Sequence, residues 1–361
     1  MNTALINRLV SFVKPLSLVL ICILSLPLHS FAHDLVVGTW NIQRLGQGQQ
    51  KSYPALAAIA SKIDLLAVQE VMTEEGVQLL EAELEKLTSE PWSRLTSHAV
   101  GSKSYKEMYA FLWRESAVEY LEGAVLYLDR ENHFIREPFS AKFKSRSTNK
   151  ELALATVHIL YGKSIKDRTP EIKALANYWL WLHEIYPETP IALMGDFNLK
   201  PSNSAWNLLK EQAYPLITQG ASTLSTKDAT YTNLYDNIWV KHDTSFVISD
   251  AGIIDFPKLL SLNHKKSRKH ISDHAPLYMV LGDKKFSANT SSFLQHEAPP
   301  DKEAVNALVT EMVRGNKNSK IYHRADCPSY DKVSGKNRVL FRNAQEAINA
   351  GYREAKNCPP Q

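Results

Sequence analysis

The chain is short of cysteine, of net charge and of long apolar runs, and each shortage narrows what it can be. It has 3 cysteines in 361 residues. Cys22 lies in a leader expected to be removed, which leaves Cys327 and Cys358 near the C-terminus. In an oxidising compartment two such cysteines most simply form a disulfide. A formal net charge of +4 fits a polyanionic partner but does not predict one. The apolar stretch from Leu16 to Leu28 is too short to span a bilayer comfortably. Ile21, before Cys22, is too large for the usual lipidation signal. No internal repeat is visible beyond a recurrence of polar residues at the ends of apolar runs.

What the N-terminus does contain is an export signal. Arg8 and Lys14 precede the apolar stretch, and Ser30-Phe31-Ala32 supplies small residues where a signal peptidase reads. Cleavage after Ala32 makes residues 1–32 a signal peptide and sends the rest to the periplasm or beyond. About 330 residues remain, enough for one large α/β domain and a small appendage.

Residues 33–282 read as alternating strands and helices. Thr73-Glu74-Glu75 opens a helix with Leu79, Leu80, Leu84 and Leu87 at helical spacing. Thr169-Pro170-Glu171 opens another, with Pro170 at its first position and Leu175, Trp179 and Leu182 facing inward. Residues 283–319 turn polar and read as a linker, with a short helical stretch from Ala304 to Met312. Residues 320–361 form a small α+β module: strands Lys320–His323 and Arg338–Phe341, then a helix from Ala344 to Ala350 ended by Gly351.

The informative pattern is where polar residues meet apolar runs. Runs that read as buried strands end in Asn41, Gln69-Glu70, His158 and Asp196, with Asn198 just beyond. Tyr235-Asp236-Asn237 and Ser272-Asp273-His274 stand just before two further runs. If the first four strands point one way and the last two the other, all these residues share one sheet edge. Carboxylates, amides and two histidines on one rim suit a hard divalent metal and acid–base chemistry on phosphate.

Thr39-Trp40-Asn41-Ile42, Gln69-Glu70-Val71, Val157-His158, Gly195-Asp196-Phe197-Asn198, Tyr235-Asp236-Asn237 and Ser272-Asp273-His274 together resemble the endonuclease/exonuclease/phosphatase superfamily over residues 34–282. Ser104-Tyr105-Lys106-Glu107, Tyr109 to Arg114 and Arg136-Glu137-Pro138 are similar to its DNase I branch. The resemblance implies a four-layered α/β/β/α sandwich. It makes Glu70 the first metal ligand, helped by Asn41, Asp196 and Asp273. Mg²⁺ is the expected ion, with Mn²⁺ as a substitute and Ca²⁺ as a structural option. His274 is implied as general base oriented by Asp236, and His158 as general acid supported by Glu107. Asn198 would donate to a phosphoryl oxygen, Tyr105 would meet sugar or base, and Arg136 would lie near phosphate. Lys265, Lys266, Arg268 and Lys269 form a basic loop before Asp273.

The chain also departs from that branch. Met72 and Gln43 stand where the branch has arginines, although Arg44 follows, and Leu199-Lys200-Pro201-Ser202 has no cysteine. Groove recognition, duplex preference and structural calcium sites are therefore left open. The C-terminal segment resembles a module of secreted bacterial nucleases and, distantly, the zinc-binding domain of the Ada repair protein. His323, Cys327 and Cys358 offer three ligands where zinc wants four, which favours a Cys327–Cys358 disulfide. Arg338, Arg342, Arg353 and Lys356 could make the module an accessory nucleic-acid contact.

The leading expectation is a secreted or periplasmic, monomeric, Mg²⁺-dependent endonuclease without a membrane anchor, cutting DNA, and RNA as a second substrate, to 5′-phosphate ends. The alternatives are a sphingomyelinase-like phospholipid phosphodiesterase, a phosphatase, and a binding protein on a degenerate scaffold. No aromatic–apolar hairpin suited to a bilayer is visible, and no catalytic motif is lost.

Overall fold

The computed structural model describes residues 35–47, 51–228, 230–283, 285–286, 313–324, 326–333, 337–341 and 343–359. The expected signal peptide, the stretch from Ala304 to Met312 and Arg342 lie outside the described residues.

Two mixed sheets pack face to face, with helices on both outer faces. The first runs Ile248–Ile253, Leu277–Leu281, Leu35–Leu45, Leu65–Val71, Lys106–Arg114 and Trp92–Thr96, with Val100–Gly101 also on Lys106–Arg114. The second runs Ala213–Pro215, Asp236–Lys241, Ile191–Asp196, Glu151–His158, Phe139–Ser145 and Val118–Leu126. Each has a parallel pair at its centre and antiparallel neighbours outside it. The two sheets thus share one strand plan, a repeat of topology that leaves no repeat in sequence.

The near-continuous apolar runs follow from this layering, because a strand covered on both faces has no solvent side. Val37, Ala67, Phe111, Leu154, Met194 and Ile238 point into the core between the sheets. Trp40, Leu66 and Val68 face the helices Tyr53–Ala60 and Glu74–Thr88. Ala153, Val157 and Leu193 face the helix Ile165–Ile185 through Leu175, Trp179 and Leu182.

Four expectations are corrected. Strict alternation fails between Thr88 and Ser164, where six strands follow one another without a helix because short turns suffice between antiparallel neighbours. The second helix starts at Ile165, not at Pro170: Ser164 and Asp167 form a capping box, and Pro170 sits inside the helix. The basic loop is a helix, His264–His270, capped by Asn263, whose side chain accepts from Lys266 N. Arg268, Lys269 and His270 lie in its last turn, where the helix dipole favours cations. Finally, the linker does not reach residue 319. Val313–Asn316 is an inner strand of the module's sheet, flanked by Arg338–Phe341 and Ile321–His323, with Arg353–Glu354 beyond. Its Arg-Gly-Asn composition hid it. Gly315 is required there, since a Cβ would stand 2.7 Å from the rings of Phe341 and Tyr352.

Candidate active site

The four outgoing strands end, and the two returning strands begin, at one edge. Parallel pairing sets Asn41 opposite Gln69 and His158 opposite Asp196, and antiparallel pairing sets Asp236 opposite Asp196. Gly195, with φ +140°, makes the second register attainable, because a Cβ there would stand 2.1 Å from the Val157 carbonyl oxygen. Glu70 adopts φ +57° at a register break between Val68 and Val71, a bulge that takes its side chain out of the ladder.

Each histidine meets a carboxylate from the opposite sheet. Glu107 Oε1, in the first sheet, lies 2.7 Å from Nδ1 of His158 in the second. Asp236 Oδ2, in the second sheet, lies 2.9 Å from Nδ1 of His274, which leads into the first. Both free Nε2 atoms stand 3.6 Å from Asp196 Oδ2. Asp196 Oδ1 accepts from the Asn198 backbone at 2.9 Å, and Oδ2 from Asn41 Nδ2 at 3.1 Å. The same Asn41 nitrogen donates to Glu70 Oε1 at 3.0 Å. An open cavity of about 550 Å³ lies over His158, Asp196, Asn198, Asp273 and His274.

Burial and charge oppose each other here. Burial alone would depress both imidazoles, but Glu107 holds His158 above its usual range, and Asp236 with Asp196 holds His274 well above it. Burial works against the Glu107 charge as well, yet His158 and Arg136 keep its carboxyl below the usual range. Asp196 goes the other way, raised chiefly by burial.

Comparison with known proteins identifies the family. The model of the Endonuclease/Exonuclease/phosphatase family matches residues 38–274, spanning every residue of the cluster. The chain belongs to that family. It is 49% identical over 256 residues to a deoxyribonuclease of Thioalkalivibrio sp. (strain K90mix), covering 69% of this chain and 71% of the relative. It is 30% identical to deoxyribonuclease-1-like 1 of Sus scrofa over 63% of this chain and 73% of that one. Among solved structures, an endonuclease/exonuclease/phosphatase of Bacteroides vulgatus shares the fold, with TM-score 0.54 and 17% identity over 69% of this chain and 99% of its own. A second model, the metal binding domain of Ada, matches residues 305–361. There the structure bonds Cys327 to Cys358. Sulfurs so joined are not thiolate ligands, although His323 lies within 4.8 Å of both.

DNase I-like members of the family depend on a divalent metal, and the donors in this chain fit one. Glu70 and Asp196 converge on a single nitrogen, all the anionic donors are oxygens, and Asp236 Oδ1 is buried without a partner. Asp196, Asp236 and His274 also lie within 4.8 Å of one another, but the last two are already engaged with each other. Two of the residues expected to help hold the metal, directly or through water, have protein partners here. Asn41 presents Nδ2 to the carboxylates while its Oδ1 accepts from Gln43 N at 2.9 Å, so it clamps the carboxylates as a donor. Asp273 is paired with Arg268 at 3.1 Å.

Arg136 is buried rather than exposed. Its Nε donates to the His158 carbonyl at 2.8 Å and lies 3.7 Å from Glu107, backing the His158–Glu107 pair. Asn198 spends one Nδ2 hydrogen on the Ile159 carbonyl at 2.8 Å and keeps the other. Tyr105 borders an adjoining cavity of about 460 Å³ with Arg44, Glu70, Arg268 and Lys269. Its hydroxyl lies 3.7 Å from Met72 Sδ, and burial with the nearby Glu70 pushes its pKa up to about 12.

The sequence reading missed the supports. Gln69 Nε2 joins Thr39 at 2.9 Å to Thr156 at 2.7 Å, bridging the sheets beneath the site. Tyr109 Oη accepts from His158 N at 3.0 Å. Ser222 donates to Asp236 at 2.6 Å, and Ser272 donates to the Asn41 carbonyl at 2.6 Å. Lys51 Nζ holds the Ile271 carbonyl at 2.6 Å, and burial depresses its pKa to about 8. Thr39, Gln69, Tyr109 and Ser272 lie within the motifs named from sequence, whereas Thr156, Ser222 and Lys51 act across the fold without a local signal.

Proposed function

We propose that the chain, exported and freed of residues 1–32, is a divalent-metal-dependent endonuclease that hydrolyses DNA phosphodiesters to 5′-phosphate ends. The observation that carries this reading is the pair of histidines, each fixed at Nδ1 by a buried carboxylate and each turning Nε2 toward Asp196 in one open cavity. Asp236 fixes the His274 tautomer so that Nε2 accepts a proton from water on one side of a phosphate. Glu107 keeps His158 protonated, so that Nε2 hands a proton to the departing sugar oxygen on the other side. Asn198 offers its remaining N–H to a phosphoryl oxygen, and Arg136 steadies the His158 backbone. A divalent cation held by Glu70 and Asp196, Mg²⁺ or Mn²⁺, would polarise a phosphoryl oxygen and offset the carboxylate field that keeps His274 protonated. The deoxyribonuclease relatives support DNA as the substrate, and RNA has the same phosphodiester. The leader and the disulfide support a periplasmic or secreted location.

The test is plasmid nicking by residues 33–361 with Mg²⁺ and with EDTA, beside His158→Ala and His274→Ala. Metal-dependent nicking that both variants lose is the expected result. An intact plasmid under every condition overturns the proposal and turns the search to sphingomyelin, phosphoinositides and phosphomonoesters.

A further inference from the structure

Tyr161 is the only exposed tyrosine, tryptophan or phenylalanine among the described residues, and it stands at the mouth of the catalytic cavity. It is 56% exposed and borders the same space as His158, Asn198 and His274. An isolated surface tyrosine would be mobile; this one is fixed from below. The guanidinium of Arg168, itself 4% exposed, lies 4.4 Å from the ring centroid. Tyr235 meets the ring at 6.3 Å, edge-on. Arg168 also donates to the backbone carbonyl of Asn198, so one cation fixes both the aromatic ring and the amide proposed to meet the phosphate.

We infer that Tyr161 is a stacking platform for a nucleobase next to the scissile phosphate. The inference rests on the nuclease reading and deepens it. A cation held against one side of the ring draws its electron density that way, which makes the outer surface a better partner for an electron-rich base. Stacking needs only a π-face and is therefore tolerant of sequence. It also requires a base free to leave its neighbours, which a single strand or an unstacked end supplies more readily than an intact duplex. The platform thus offers this chain a base contact beside the phosphate even with Met72 at the position of the branch's arginine.

The test uses single-stranded oligonucleotides of one sequence, each lacking the base at one position. The full mature chain cleaves them with Mg²⁺, and products are resolved by length so that one bond is followed. For the parent enzyme, removing the base on one side of that bond lowers kcat/KM by about 5- to 100-fold, and Tyr161→Ala loses a similar factor on the intact strand. In Tyr161→Ala the same base removal costs less than about twofold, and Tyr161→Phe stays within about threefold of the parent on every strand. Equal losses for Tyr161→Ala on intact and base-lacking strands overturn the inference. So does a parent enzyme indifferent to base removal on both sides. A parent enzyme that cleaves no DNA at all overturns the nuclease reading, and this inference with it.

Discussion

Replacing Asp236 by Asn tests the acid–base assignment more sharply than deleting a histidine does. Asp236 Oδ2 faces His274 Nδ1 at 2.9 Å and accepts from Ser222 at 2.6 Å, while Oδ1 is buried without a partner. An asparagine can sit two ways. With its oxygen in the Oδ2 place, the NH₂ fills a buried position with no acceptor, which costs about 1–3 kcal/mol. With its NH₂ in that place, it donates to His274 Nδ1 and Ser222 Oγ, and the serine hydroxyl has the Asn233 carbonyl 3.3 Å away as another acceptor. The second arrangement wins. It forces the imidazole proton onto Nε2, the atom that must receive one. A base locked in the wrong tautomer loses about 10⁴-fold in kcat, roughly 5 kcal/mol of barrier. The residual activity should also move, because Asp236 is the first of the charges that hold His274 up against burial. Its removal shifts the acidic limb of the pH–rate profile to lower pH. Initial nicking rates at saturating Mg²⁺ across the pH range give both numbers, and circular dichroism should show a fold melting within a few degrees of the parent. A variant within about tenfold of the parent, with its acidic limb unmoved, would refute the assignment of Asp236 as the residue that fixes His274.

Glu107→Gln removes the charge that keeps His158 protonated. The basic limb should move to lower pH and kcat should fall about 10²- to 10⁴-fold, read from the same profile. Glu70→Gln should raise the Mg²⁺ concentration for half-maximal rate at least about tenfold, by metal titration of initial rates, and an unchanged requirement removes Glu70 from the metal site. In metal-free protein, His158 and His274 have folded-state pKa values above their unfolded values near 6.5. The stability they add is complete below about pH 6.5 and disappears as pH rises through the folded values. Urea melts of the metal-free chain against pH should show this loss, and His274→Ala should flatten it.

Much of the site was legible because its chemistry sits at the ends of apolar runs, where strand direction alone places it. Asn41, Glu70, His158, Asp196, Asp236 and His274 all lie on the expected edge. The roles of Asn41, Asp273 and Arg136 were not legible, since each depends on a partner distant in sequence or on which amide atom faces a carboxylate. Helix starts were read well where a threonine caps, as at Thr73, whose side chain accepts from Gly76 N. The next start is masked in the sequence, because Thr169-Pro170-Glu171 imitates a helix start just downstream of the Ser164–Asp167 box. Val313–Asn316 was hidden by polar, glycine-containing composition at the border of a polar segment.

Both acid–base couples take one member from each sheet, as do the Asn41–Asp196 and Gln69–Thr156 bonds. The proposed proton donor and the proposed proton acceptor therefore each depend on both halves of the molecule. A core substitution that eases the sheets apart, at Leu154 or Met194 for instance, lengthens both carboxylate–imidazole contacts together. Both limbs of the pH–rate profile would then slide to lower pH in step, before any strand lets go. The enzyme's pH profile is in that sense a caliper on the gap between its two sheets.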